Sequence, residues 1–343
     1  MKNIILLILA SLGLASCSHQ PPAVYRFERP LMHTRWDFSV VASSKEEAER
    51  AVDLAAKEVA RLDEILAMWK PESQVAKFNA QAGQGPQKLP AELDELLPLA
   101  LSIGKKSDGA FDISVGPLVR LWYDSLKQGQ LPADRAVLAA KLKMGYKNLK
   151  TDATGAWSLP LGFQIDLGGA AKGYAQDKAA MILRKAGIKD FLMNAGGQVY
   201  AKGTKPGGTK WKIGILNPRN PQKIVASLEL KDQCMSTSGD YEQFTYIKGK
   251  RYHHILDPRT GFPTAHGMAS ATVILKMDQN ALPGALADCL STASFVLGPG
   301  KGVKFLESLG VSGVMIDESG DGNLKQELTS DLQGKVDLEF TLE

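Results

Sequence analysis

Cysteine is scarce, with three in 343 residues. Cys17, Cys234 and Cys289 form no CxxC pair and no zinc-like cluster, which excludes dithiol redox chemistry and a structural zinc site. One disulfide between Cys234 and Cys289 is the most an oxidising compartment could make of them. A charge excess is also lacking: 41 Lys and Arg stand against 37 Asp and Glu. No dense basic run is interleaved with aromatics, so nucleic acid is not an expected partner. The familiar phosphate loops, GxxxxGK[ST] and GxGxxG, are absent. Histidine is rare as well, yet two of the five are adjacent in "RYHHILDPRTG" at 251–261. On that stretch alone the plain reading is a structural histidine beside a turn, since Asp257, Pro258 and Gly261 are good turn formers. A strand sends successive side chains to opposite faces, so only one of His253 and His254 can look into a given site.

Long apolar runs are missing beyond the first residues, and no later segment is expected to span a bilayer. At the start, Lys2 precedes an apolar run from Ile4 to Leu14, a pattern that fits a secretory signal. The following Leu14-Ala15-Ser16-Cys17 resembles a bacterial lipobox, which implies lipidation of Cys17. Several acyl chains on one residue anchor a protein stably. The expected organisation is a signal peptide at 1–16, a lipidated cysteine and tether at 17–30, and one folded region at 31–343. The protein is then expected on the periplasmic side of a bacterial membrane, held to the lipid by its N-terminus.

Within the folded region, Ser43 and Ser44 followed by Glu46 and Glu47 signal the start of a helix running towards Trp69. Further helical stretches are "AELDELLPLALSIGKK", "AAKGYAQDKAAMILRKAG" and "NALPGALADCLSTASFVLG". Strand-like runs include "RWDFSVVA", "FQIDL", "FLMNAGGQVYA", "KWKIGIL", "KIVASLEL", "EQFTYIKGKRYHHIL" and "SATVILK", with a hairpin turn at Lys248-Gly249. Helices and strands mix without a βαβ rhythm, which predicts an α+β fold.

Two segments carry most of the chemistry. In "FQIDLGGAAKGYAQD" a strand is expected to end at Asp166, with a Gly-Gly turn and a helix that places Lys172 in its first turn. Free N–H groups at a helix start attract phosphate, and a lysine there opposes the helix dipole unless an anion lies between them. In "ALADCLSTASF", Asp288 and Thr292 are four apart and share one helix face. One carboxylate and one hydroxyl suit Mg²⁺, which takes few protein oxygens and completes its octahedron with phosphate and water. The bland alternatives are a solvated lysine after a glycine turn, and a buried Asp tied to a helix cap.

Taken in order, "RWDF…MWKPESQVAKFN", "GAFDISVGPLVRLW", "IDLGGAAKGYAQD", "NAGGQVYAKG", "STSGDYEQF…YHHILDPRTGFP" and "ALADCLST" resemble the ApbE-type FAD:protein FMN transferases. The resemblance implies an α+β fold related to the T-fold, with antiparallel sheets, packed helices and a single catalytic region. It implies Mg²⁺-dependent splitting of FAD, with FMN passed to a threonine or serine hydroxyl of an extracytoplasmic redox protein and AMP released. By the same resemblance, Met32, Trp69, Ala110, Phe111, Asp112, Asp166, Lys172, Tyr241 and His254 belong to the FAD site. Gly169, Asp288, Ser291 and Thr292 belong to the metal site, and His254 is the base at the reaction centre. Three positions depart from the family pattern: His33 stands where glycine is usual, "NAGG" replaces Asn-Leu-Gly-Gly, and Cys289 and Ser291 flank the metal residues. Two rival functions share these features, an FAD pyrophosphatase with water as acceptor and a non-enzymatic flavin-binding lipoprotein.

Overall fold

A computed structural model describes residues 21–279, 281–318, 323–334 and 336–338. Cys17 and the expected signal peptide lie outside the described residues. The centre is an eight-stranded sheet whose order in space follows the chain: Ala23–Leu31, Thr34–Ala42, Phe191–Ala195, Gln198–Lys202, Gln233–Gly239, Met268–Lys276, Ser312–Glu318 and Leu324–Leu328. Every neighbouring pair is antiparallel.

Strand alternation sorts this sheet into two cores. Phe38, Met193, Cys234, Val273 and Met315 face the helices Lys45–Leu66, Ala171–Lys185 and Pro283–Leu297. Their neighbours Val199, Met235, Ile274, Val314 and Ile316 face a second sheet formed by Trp211–Asn217, Asn220–Leu230 and Asp337–Leu338. A smaller cluster of Leu118, Trp122, Val137 and Leu256 binds the helices Gly116–Lys127 and Asp134–Lys141 to the "ILDP" segment. The α+β expectation therefore holds, with the helices Lys45–Leu66, Ala171–Lys185 and Pro283–Leu297 together on one face of an antiparallel sheet.

Local signals explain several boundaries. Ser44 Oγ accepts from Glu47 N–H at 3.1 Å while Glu47 reaches back to Ser43 N–H at 3.0 Å, a capping box one residue wide of its usual form. That helix stops at Leu66, short of Trp69. Pro283 opens its helix at the first position, where a missing N–H costs nothing. The run 242–256 folds into the hairpin Phe244–Ile247 and Lys250–His253, with Lys248 and Gly249 both at positive φ as the turn requires.

Two expectations are corrected. Residues 23–30, read as tether, form the outer strand Ala23–Leu31. Its edge position tolerates Pro30, and Phe27 supplies a buried anchor. "FQIDL" is not a strand: Gln164 makes one isolated bridge to Val115, and the Asn79 side chain takes both the N–H and the carbonyl of Ile165. Side-chain bonds there replace the ladder that the apolar alternation suggested. Cys234 and Cys289, whose pairing the sequence left open, are both buried free thiols.

Candidate functional site

The starts of the helices Ala171–Lys185 and Pro283–Leu297 cross at two glycines. A Cβ on Gly173 would lie 2.1 Å from the Gly284 carbonyl, and one on Gly284 would lie 2.4 Å from the Gly173 carbonyl. No other residue type permits that approach. It brings Asp288, one turn into its helix, against the first turn of the other, where Asp288 Oδ2 accepts from Gly173 N–H at 3.0 Å. Burial pushes the Asp288 carboxyl up, and the Lys172 ammonium opposes that shift.

Thr292 lies one turn beyond Asp288. A Cβ on Gly169 would come 3.1 Å from Thr292 Oγ1, so the glycine backbone approaches the hydroxyl only because it has no side chain. Phe111 closes the same spot, with its ring 3.0 Å from that Cβ position. No cluster of three or more His, Cys, Asp or Glu side chains able to hold a metal occurs among the described residues. A buried carboxylate and a hydroxyl one turn apart on the same helix, with the Gly169 backbone beside the hydroxyl, offer oxygen donors only, a chemistry that fits a hard cation such as Mg²⁺. Ser291 stands apart from the other three. Its hydroxyl already has three partners: the Asp288 carbonyl at 2.9 Å, Ser236 Oγ at 2.7 Å and Ser238 Oγ at 2.9 Å.

The two histidines differ in what they leave free. His253 Nε2 lies 3.1 Å from the Thr264 carbonyl, and its Nδ1 accepts from Ile255 N–H at 3.2 Å. Both nitrogens are occupied, the ring is buried, and it packs edge-on against Phe295. His254 follows the last strand residue and is exposed. Its Nδ1 lies 3.2 Å from the Gln243 carbonyl, which can only accept, so Nδ1 carries the proton. The Nε2 lone pair is left to take another. The residue is exposed overall, yet desolvation of its imidazole by surrounding protein groups pushes the pKa down to about 4, and the Lys172 ammonium acts in the same direction.

The other expected residues divide. Tyr241 lays its ring on Gly239, where a Cβ would meet it at 2.4 Å, and follows Ser238, which reaches Thr292 Oγ1 at 3.3 Å. Met32 and His33 form the two-residue turn between the first strands, both at positive φ. That conformation is why glycine suits position 33, and histidine is among the residues that tolerate it. This turn abuts the Gly196-Gly197 turn, since a Cβ on Gly196 would lie 2.7 Å from Thr34 Oγ1. Asp166 accepts from Gly168 N–H at 2.8 Å, and burial pushes its carboxyl up. Asp112 spends both oxygens on the protein, accepting from Ser114 N–H, Ser114 O–H and Tyr146 N–H, so its carboxylate shapes the loop behind the buried Ala110 and Phe111. Trp69 is exposed and packs at a tilt against Tyr123, with the Arg120 guanidinium over its ring.

Three residues of the site were not foreseen. Glu242 has its carboxyl pushed up by crowding and held down by Lys172. Asp177 binds Gly284 and Ala285 N–H at 2.8 and 2.9 Å, and Ser238 touches both Ser291 and Thr292. Only position in the fold joins them to the site, apart from the hydroxyl-rich "STSGDY" that contains Ser238.

Comparison with known proteins places this geometry. The ApbE family pattern matches residues 32–315. An FAD:protein FMN transferase of Klebsiella pneumoniae (strain 342) is 34% identical over 302 residues, covering 85% of this chain and 83% of the relative. One from Escherichia coli (strain K12) is 31% identical over 334 residues, with 92% of each covered. Among solved structures, the ApbE protein from Thermotoga maritima superposes with a TM-score of 0.80 at 29% identity, covering 90% of this chain and 98% of the other. The apo flavinyl transferase ApbE of Pseudomonas stutzeri gives 0.79 at 30% identity, over 91% and 96%.

Proposed function

The chain belongs to the ApbE family, and from that premise we propose that it is a flavin transferase passing FMN from FAD to a threonine or serine hydroxyl of an extracytoplasmic acceptor protein. The acceptor oxygen bonds to the FMN phosphorus, the bond from that phosphorus to the bridging oxygen breaks, and AMP leaves. Asp288, Thr292 and the Gly169 backbone would hold Mg²⁺, which would supply charge neutralisation at the pyrophosphate. Lys172, together with the free N–H groups of its helix start, adds positive potential for the same phosphates. His254 Nε2 takes the proton of the acceptor hydroxyl.

The observation that carries transfer rather than flavin binding is the state of His254. Binding needs no exposed imidazole with one nitrogen tied to a carbonyl and the other an open lone pair. A pKa below the ordinary histidine range keeps that lone pair available at neutral pH. The lipobox-like "LASC" supports an anchored, extracytoplasmic form. No helix among the described residues is long and apolar enough to cross a membrane.

The deciding experiment is mass spectrometry of candidate acceptor proteins after incubation with the purified protein, FAD and Mg²⁺. An added FMN mass on a threonine or serine, with equimolar AMP, is expected. EDTA and Asp288→Ala should each remove it, with partial rescue of the variant at high Mg²⁺. FMN and AMP released without any labelled acceptor would favour the pyrophosphatase instead.

A further inference from the structure

A chain of four hydroxyls runs inward from Thr292, and its proton directions can be solved. Thr292 Oγ1 lies 3.3 Å from Ser238 Oγ, which lies 2.9 Å from Ser291 Oγ. Ser291 Oγ also meets Ser236 Oγ at 2.7 Å and the Asp288 carbonyl oxygen at 2.9 Å. Each hydroxyl has one proton and two lone pairs, whereas a carbonyl only accepts. Ser291 therefore donates to the Asp288 carbonyl. Ser236 and Ser238 must then donate to Ser291, which fills both of its lone pairs. Ser238 has no proton left, so Thr292 donates to Ser238.

Two consequences follow for the cation site. Ser291 is fully buried and has no lone pair to offer a metal ion. Thr292 has its proton drawn inward to Ser238, which leaves both of its lone pairs for other partners beside the Gly169 backbone. We propose that Ser238 and Ser291 are positioning residues that hold Thr292 as a pure oxygen donor to a hard divalent cation, and that Ser291 is not itself a ligand. The proposal rests on the metal reading of Asp288 and Thr292 given above. Its physical basis is that a hydroxyl whose proton can swing towards a cation is a poorer ligand than one whose proton is fixed away from it. Supporting bonds of this kind typically change metal affinity about 10- to 100-fold.

The test is binding of Mn²⁺ alone to the full folded domain, read from the loss of the free-ion signal in electron paramagnetic resonance. Ser238→Ala and Ser291→Ala should each weaken binding by about tenfold or more, and the double variant no further, because both break one chain. Ser238→Thr, which keeps the hydroxyl, should restore wild-type affinity and so exclude a mere folding defect. It also serves where Ser238→Ala does not fold. Additive losses would make Ser291 an independent ligand and overturn the proposal, as would unchanged affinity in Ser238→Ala. A wild type that binds no Mn²⁺ would overturn the metal reading itself, a distinct result because every other failure needs a wild type that binds.

Discussion

Asp177 and Asp288 each cap the start of the helix that carries the other. Asp288 accepts from Gly173 N–H at 3.0 Å, and Asp177 accepts from Gly284 and Ala285 N–H at 2.8 and 2.9 Å. Helix starts leave such donors unpaired and favour negative charge. The exchange therefore stabilises both first turns and fixes the position of the Asp288 carboxylate at the candidate metal site.

Asp177 should give the fold a measurable pH dependence. Burial pushes its carboxyl up to about 7, against the pull of the two N–H donors. A folded-state value above the unfolded one, about 4, means that the folded chain holds the proton more tightly. This contribution is complete below about pH 4 and is lost as pH rises through about 7. Asp177→Asn does not titrate, so the stability of wild type relative to the variant should be greatest near pH 4 and decline to a plateau above 7. Thermal unfolding of both proteins across that range checks it, and a difference that grows with pH would refute the assignment.

Gly173→Ala should destabilise the protein although it sits inside a helix, where alanine normally gains about 1 kcal/mol over glycine. The new methyl would be 2.1 Å from a backbone carbonyl, which cannot move aside as a flexible side-chain end would. Overpacking of this kind costs roughly 1–3 kcal/mol or more. A lower melting temperature is expected, together with weaker Mg²⁺ binding because Asp288 is displaced. An unchanged melting temperature would mean that the two helices are not locked at this crossing.

His254→Asn should lower FMN transfer by about 10²–10⁴-fold, the usual range for a general base. FAD affinity should be nearly unchanged, since Lys172 and the Asp288 group remain. His253→Asn should leave the rate of the folded enzyme close to wild type while lowering stability, because both ring nitrogens are bonded inside the protein. The base must be neutral to accept a proton, so wild-type transfer should fall only as pH drops towards about 4. The His254 variant should lose that acid limb. Equal crippling by both substitutions would return His254 to a structural role.

Cys17→Ser should release the protein from membranes without reducing the activity of the purified folded domain. Fractionation and intact mass measure this directly. A wild-type protein recovered wholly soluble, with no acyl mass on Cys17, would end the anchored reading.

Much of this was legible in the residues themselves. Ser44 and Glu47 mark a helix start by hydrogen bonds that span only a few residues, and Lys248-Gly249 marks a hairpin through its φ preference alone. Asp288 and Thr292 share a face because helix geometry makes i and i+4 neighbours. What stayed hidden depended on contacts between distant segments. "FQIDL" has the apolar alternation of a strand, but Asn79, more than 80 residues earlier, claims the backbone groups a ladder would need. Ala23–Leu31 reads as a weakly patterned tether because an edge strand buries little, and it gains order only from pairing with Thr34–Ala42. Asp177, Ser238 and Glu242 join the site only when two helix starts, crossing at Gly173 and Gly284, meet the end of the strand Gln233–Gly239. The amino-acid sequence by itself determined which local elements form and which side chains carry charge or a transferable proton. The tertiary structure alone decided which of them are left unpaired and face one another, because hydrogen-bond capacity is spent between segments that the chain order keeps far apart.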